Sequence, residues 1–138
     1  MKIRTVIVDD EAPICDEIEY LLGSFADIEI AGKFNNAFDA IAYIAENKPR
    51  LVFLDIQMPG VSGLEMARKL KNVKNPPLIV VVTAHPEYAL ECFDTPAVGY
   101  ITKPVTEEKL AGVMEKIFSL RQNQTTEPKV DVNKICVQ

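Results

Sequence analysis

The chain has 138 residues, 48% of them hydrophobic, with 15 basic side chains against 20 acidic ones and a net charge of −5. Such a length suits one domain with an ordinary core, and the apolar residues are too many for a disordered chain and too interrupted for a membrane span. The acidic balance argues against this segment itself gripping nucleic-acid phosphates. Three widely spaced cysteines (Cys15, Cys92, Cys136) offer neither a disulfide framework nor paired metal-ligand spacing. Reduced thiols in the cytoplasm are therefore expected, and no charged start followed by an apolar run marks a secretory signal.

In chain order, Ile3 to Val8 reads as a buried strand that ends on Asp9-Asp10-Glu11. Pro13 suits the first turn of a helix, and Ile14, Ile18, Leu21, Leu22 and Phe25 recur at helical spacing up to Gly23-Ser24. Ile28 to Ala31 reads as a short second strand. Asn35-Asn36 opens a second helix with Ala37, Ala40, Ile41 and Ile44 on its apolar face, and Pro49 ends the connection. Leu51-Val52-Phe53-Leu54 then runs straight into Asp55, and Gln57-Met58-Pro59-Gly60 forbids the strand from continuing. A buried strand delivering one acid to its carboxyl end puts it where sites form, although Asp before a Pro-Gly loop is as often a turn cap.

Ser62 with Glu65 reads as a capping box for a third helix whose buried side is Leu64, Met66, Ala67 and Leu70. After Pro76-Pro77, Leu78 to Val82 is the strongest strand in the chain and ends at Thr83-Ala84-His85. A shorter fourth helix is expected from about Pro86 to Phe93, stopped by Asp94-Thr95-Pro96. Val98 to Ile101 is a brief last strand leading to Thr102-Lys103-Pro104. Thr106, Glu107 and Glu108 begin a fifth helix with the stripe Leu110, Val113, Met114, Ile117 and Leu120. Residues 121–128 are polar and read as a linker. Residues 129–138 regain strand character in Val130, Val132, Ile135 and Val137, as either a stray strand or the opening of a truncated second domain.

Strand and helix alternate five times over short connections, which predicts an α/β three-layer sandwich: a parallel sheet with helices on both faces, since parallel neighbours need crossovers. Every strand's carboxyl end would then lie on one edge, gathering Asp9, Asp10, Asp55, Thr83 and Lys103. Clustered carboxylates repel unless a cation joins them, and an all-oxygen set without His or Cys points to Mg²⁺. A lysine and a hydroxyl opposite supply the donors a phosphoryl group needs, so the set describes a site for making an acyl phosphate on Asp55. Each member alone has a plainer reading: helix-start acids, a strand-end hydroxyl, a solvated turn lysine. Together, ending four strands at one edge, they are a much less probable accident.

The chain resembles the receiver domains of bacterial response regulators in two-component signalling. Val6-Ile7-Val8-Asp9-Asp10-Glu11, Leu54 to Gly60 with Gly63, Val82-Thr83-Ala84 and Lys103-Pro104 carry the resemblance, in order, over residues 1 to about 120. The resemblance implies a doubly wound, flavodoxin-like five-stranded sheet of order 2-1-3-4-5 over a receiver domain of residues 1–120. It also implies Asp55 as phosphoacceptor, with Mg²⁺ held by Asp10, Asp55, the backbone carbonyl of Gln57 and, through water, Asp9. Thr83 and Lys103 would contact the phosphoryl group, Thr83 and Tyr100 would switch, Gln57 and His85 would set the phosphate's lifetime (His85 reads equally as a helix-start cap before Pro86), and Lys103-Pro104 would be cis. Gly99 departs from the family pattern and leaves the last strand less well defined.

The implied partners are a histidine kinase as phosphodonor and a homodimer through the fourth helix, fifth strand and fifth helix. DNA would be bound only through a missing C-terminal domain, because residues 83–93 also resemble receivers joined to a LytTR-type output; no membrane is implied. The chain would catalyse only its own phosphorylation and dephosphorylation. A haloacid-dehalogenase-like phosphohydrolase is the other chemical class, but it wants an acid two residues after the nucleophile, where Gln57 stands. A phosphate-independent interaction module would keep the fold without the acid set.

Overall fold

The computed structural model describes residues 2–56, 63–84 and 97–125, excepting the side chains of residues 63, 64, 67 and 121–125. The expected loop at 57–60, the Ser62 cap, His85, the fourth helix at 86–93 with its stop, Cys92 and the tail from 126 lie outside the described residues. The elements are β1 (Ile3–Val8), α1 (Ala12–Leu22), β2 (Ile28–Phe34), α2 (Ala37–Asn47), β3 (Leu51–Asp55), α3 (Gly63–Leu70), β4 (Leu78–Thr83), β5 (Ala97–Thr102) and α4 (Glu107–Thr125). The helix expected from Thr106 is thus α4.

All neighbouring strands pair in parallel, in the order β2-β1-β3-β4-β5. The chain moves outward from β1 to β2, then returns to the other side of β1 with β3. That reversal opens a crevice beyond the carboxyl ends of β1 and β3. Each face of the sheet carries its own core. Val6, Val8, Val52, Leu54, Ile79 and Val81 pack with Ala37, Ala40 and Ile44 of α2 and Met66 and Leu70 of α3. On the other face Ile7, Phe53, Val80 and Val82 pack with Cys15, Ile18 and Leu22 of α1 and Leu110, Met114 and Ile117 of α4. β3 is buried at every residue, which is why it reads as an unbroken apolar run rather than an alternating one.

Local chemistry sets the helix ends. Pro lies in the first turn of α1, and Asn36 caps α2 by accepting the Asp39 N–H on its side-chain oxygen at 2.9 Å. Lys48 closes α2 in the left-handed conformation at φ 50°, with its N–H donating to the Ile44 carbonyl.

Three expectations needed correction. β2 runs to Phe34 rather than Ala31. Its pairing with β1 shifts register between Thr5 and Val6, and Gly32 within the strand leaves room for the Phe34 ring, whose Cε2 lies 2.9 Å from where a Cβ would stand. β5 is well formed over six residues despite Gly99. A Cβ there would come 3.2 Å from Cγ1 of Val113, so the glycine lets α4 lie close against the sheet. Finally, α4 continues to Thr125, into the stretch read as linker from residue 121; Arg121 to Thr125 contains no Gly or Pro to stop it.

Candidate functional site

The sheet register builds the site. Val8 pairs with Leu54, so the residues that follow, Asp9 and Asp55, emerge side by side from β1 and β3. Asp55 pairs with Val82 and Thr83 with Thr102, which brings the end of β4 and the start of the β5–α4 connection to the same edge. Carboxylate oxygens of Asp9, Asp10 and Asp55 lie within 4.8 Å of one another. Asp9 and Asp55 are buried, and Asp10 faces solvent. Four strand ends therefore do meet at one edge.

Asp9 is not a helix cap. Glu11 holds the N-cap position of α1 without any side-chain cap bond, and Asp9 Oδ1 turns back to accept the Glu11 N–H at 2.9 Å. The Asp9 backbone is fixed on both sides: its N–H donates to the Phe34 carbonyl at 3.0 Å, and its own carbonyl accepts from Asn35 Nδ2 at 3.1 Å. The Cys15 thiol donates to that carbonyl at 3.5 Å. Burial, with the Asp9 charge beside it, pushes the Cys15 thiol up to about 11, so it stays protonated and inert at neutral pH.

Lys103 enters from the end of β5, with its N–H donated to the Thr83 carbonyl at 2.8 Å and a cis bond to Pro104. Its ammonium lies 3.1 Å from Asp9 Oδ2 and 3.5 Å from Asp55 Oδ2. Burial works to lower its pKa, but the Asp55 charge and the contacts and charges of Asp9 and Glu11 outweigh it. The net direction is upward, so Lys103 remains a cation.

The donor set fits a divalent cation. Three carboxylates face one ammonium, which leaves two formal negative charges uncompensated among these groups. Asp9 Oδ2 is also a buried oxygen with no hydrogen bond; the ammonium at 3.1 Å attracts it without donor alignment. The ammonium offsets part of the cost of burying that oxygen, and a further cation would offset more of it. All the candidate ligands are oxygens, and Asp10 opens the cluster to water. Both features suit a hard ion that retains part of its hydration shell.

The remaining expected site residues divide. Thr83 is buried at the end of β4, beside the cluster. Tyr100, on β5, is half-buried and packs against the core shared by α2 and α3. Gln57 and His85 lie outside the described residues. Asn35, Cys15 and Glu11 take part without having been read as site residues from the sequence. Asn35 and Cys15 act through the carbonyl of Asp9 and Glu11 through its own N–H, and no residue-type pattern announces that.

Comparison with known proteins decides the family. Residues 5–115 match the family described as response regulator receiver domain. The chain belongs to that family. It is 41% identical over 122 residues to the sensory transduction protein LytT of Bacillus anthracis, covering 88% of this chain and 50% of that protein. It is 32% identical over 124 residues to the transcriptional regulatory protein YpdB of Escherichia coli, covering 90% and 51%. The chain thus spans about half the length of the curated relatives it matches. Among solved structures, the response regulatory domain of mrkE from Klebsiella pneumoniae superposes with a TM-score of 0.80 at 30% identity, over 86% of this chain and 98% of that one. The REC domain of AraT from Geobacillus stearothermophilus gives 0.79 at 25% identity, over 91% and 100%. The LytT relatives agree with the subfamily resemblance of residues 83–93.

Proposed function

We propose that this receiver domain takes a phosphoryl group on Asp55 from a histidine kinase and uses it to switch a transcriptional output. The observation that carries the reading is the buried pair Asp9–Asp55 with Lys103 at 3.1 and 3.5 Å and an unbonded oxygen on Asp9. An Asp55 carboxylate oxygen attacks phosphorus in line with the departing imidazole of a phosphohistidine. The O–P bond forms as the P–N bond breaks, and the imidazole leaves with the bond's electrons. Lys103 meets a phosphoryl oxygen with its ammonium, and the Thr83 hydroxyl donates to another. Asp10, Asp55, the backbone carbonyl of Gln57 and, through water, Asp9 would hold Mg²⁺, which when bound would offset charge on the phosphoryl oxygens.

The added group carries about −1.5 to −2 charge and strong acceptor oxygens. Thr83 moves toward it, and Tyr100 turns into the space so released. That repacks the face made by the helix expected at 86–93, β5 and α4, where a homodimer or an output domain reads the change. Gln57 and His85 control access of water to the acyl phosphate. A DNA-binding domain following this segment fits the length of the LytT relatives, and the cytoplasm fits the kinase and the free Cys15 thiol. No helix among the described residues is long and apolar enough to cross a membrane.

The test is titration with beryllofluoride and Mg²⁺, followed by backbone NMR. Saturable, Mg²⁺-dependent shifts at Asp55, Thr83 and Tyr100, lost in Asp55→Asn, are expected. A spectrum that does not respond would favour a receiver that works without phosphate.

A further inference from the structure

Lys109 lies in the first turn of α4, outside the acid cluster. Its ammonium stands 3.0 Å from the carbonyl of Thr102, 3.1 Å from the Thr102 hydroxyl and 3.2 Å from the carbonyl of Pro104. A lysine ammonium has three N–H donors and no acceptor, so these contacts use all of its hydrogen-bonding capacity. The residue that carries it is itself fixed, because the Lys109 N–H donates to Thr106 Oγ1 at 3.2 Å. The next residue, Leu110, is fully buried and anchors the helix in the core.

The place of those contacts matters more than their number. The Thr102 carbonyl belongs to the peptide unit entering Lys103, and the Pro104 carbonyl lies just beyond the unit leaving it. On the other side the Lys103 N–H is held by the Thr83 carbonyl. Lys103 is therefore gripped between β4 and α4: Lys109 holds the backbone on either side of it, and the buried Val105 packs into the core shared with Leu110 and Met114 of α4. A lysine stem has many rotamers, so where its ammonium stands depends on how firmly its backbone is fixed.

We propose that Lys109 is a positioning residue for Lys103: it ties the β5–α4 connection to α4 so that the Lys103 ammonium is held between Asp9 and Asp55. This rests on the reading of Lys103 as the cation that meets the phosphoryl group. The plainer alternative is a surface lysine that steadies a loop and leaves the chemistry unaffected.

The experiment compares Lys109→Met and Lys109→Arg, each in the parent and in a Lys103→Ala background. It follows phosphate uptake from acetyl phosphate at saturating Mg²⁺, the melting temperature, and the side-chain ¹⁵Nζ resonance of Lys103. We expect Lys109→Met to fold and to take up phosphate about tenfold more slowly, in line with the cost of small misplacements of a reacting group. Lys109→Arg keeps the charge and donors and should recover most of that rate. With Lys103→Ala in place, Lys109→Met should change the rate little further, because the two residues act as a unit. The proposal is overturned if Lys109→Met matches the parent, or slows uptake by the same factor with and without Lys103. If the parent takes up no phosphate, the reading of Asp55 fails instead. The Lys103 resonance then decides on positioning: altered in Lys109→Met if Lys109 holds it, unchanged if it does not.

Discussion

Lys33 on β2 and Lys103 after β5 each stand between two carboxylates. Lys33 reaches Asp16 at 2.9 Å and Glu19 at 2.7 Å; Lys103 reaches Asp9 at 3.1 Å and Asp55 at 3.5 Å. By distance the first cluster is the better ion pair. It nevertheless lies in solvent, with the three side chains 36%, 67% and 43% exposed, whereas those of Lys103, Asp9 and Asp55 are 17%, 1% and 4% exposed. Exposed pairs are screened and contribute little, while buried charges must be completed by something. At Lys33 the hydrogen bonds that its ammonium donates to Glu19 and Asp16 complete the group and raise its pKa. At Lys103 a third carboxylate and an unbonded oxygen remain. An incomplete buried cluster, rather than a tight exposed one, is the mark of a site here.

The comparison can be broken most sharply by removing each cation. Lys103→Ala should slow phosphate uptake from acetyl phosphate by about 100-fold, the usual loss when one donor to a developing negative charge is deleted. Lys33→Ala should leave the rate unchanged, as read by intact-mass time courses. Equal effects would mean that burial does not distinguish the clusters.

Asp10→Asn reduces the charge of the proposed ion site, and ligand charge tunes such affinities over decades. It should weaken Mg²⁺ binding about tenfold or more in an NMR titration, and Asp16→Asn beside Lys33 should not alter it.

The smallest contrast is with pH and salt. Both lysines have folded-state pKa values above the ordinary lysine value of about 10.4, so whatever the pairs contribute is fully present below that value. It is lost only as pH rises through the raised folded-state value. Uptake limited by Lys103 should therefore be flat between about pH 7 and 9. Added salt should weaken the Lys33 pairing, read from its ¹⁵Nζ shift, while leaving that of Lys103 largely unmoved.

What the sequence disclosed follows the same line. β3 and β4 were legible because a doubly covered parallel strand has no reason to alternate, and Asp55 and Thr83 were legible because they end those runs. The end of β2 was not: Gly32 and Lys33 look like punctuation, and only the folded chain shows Gly32 making room for the Phe34 ring inside a continuing strand. The length of α4 was not legible either: Arg121 to Thr125 are as polar as a linker, yet polar residues without Gly or Pro extend a helix readily. Asp9, Asp10, Asp55 and Lys103 could be gathered at one edge from topology alone. Asn35, Cys15 and Lys109 could not be assigned in that way, since they act through backbone carbonyls whose positions exist only once the chain is folded.

The most direct test of the central claim is intact-mass analysis after incubation with acetyl phosphate, with Mg²⁺ or with a chelator. The account predicts one phosphoryl group on the parent with Mg²⁺, essentially none with the chelator, and none on Asp55→Asn. Phosphate incorporated equally by Asp55→Asn, or by the parent without Mg²⁺, would contradict it.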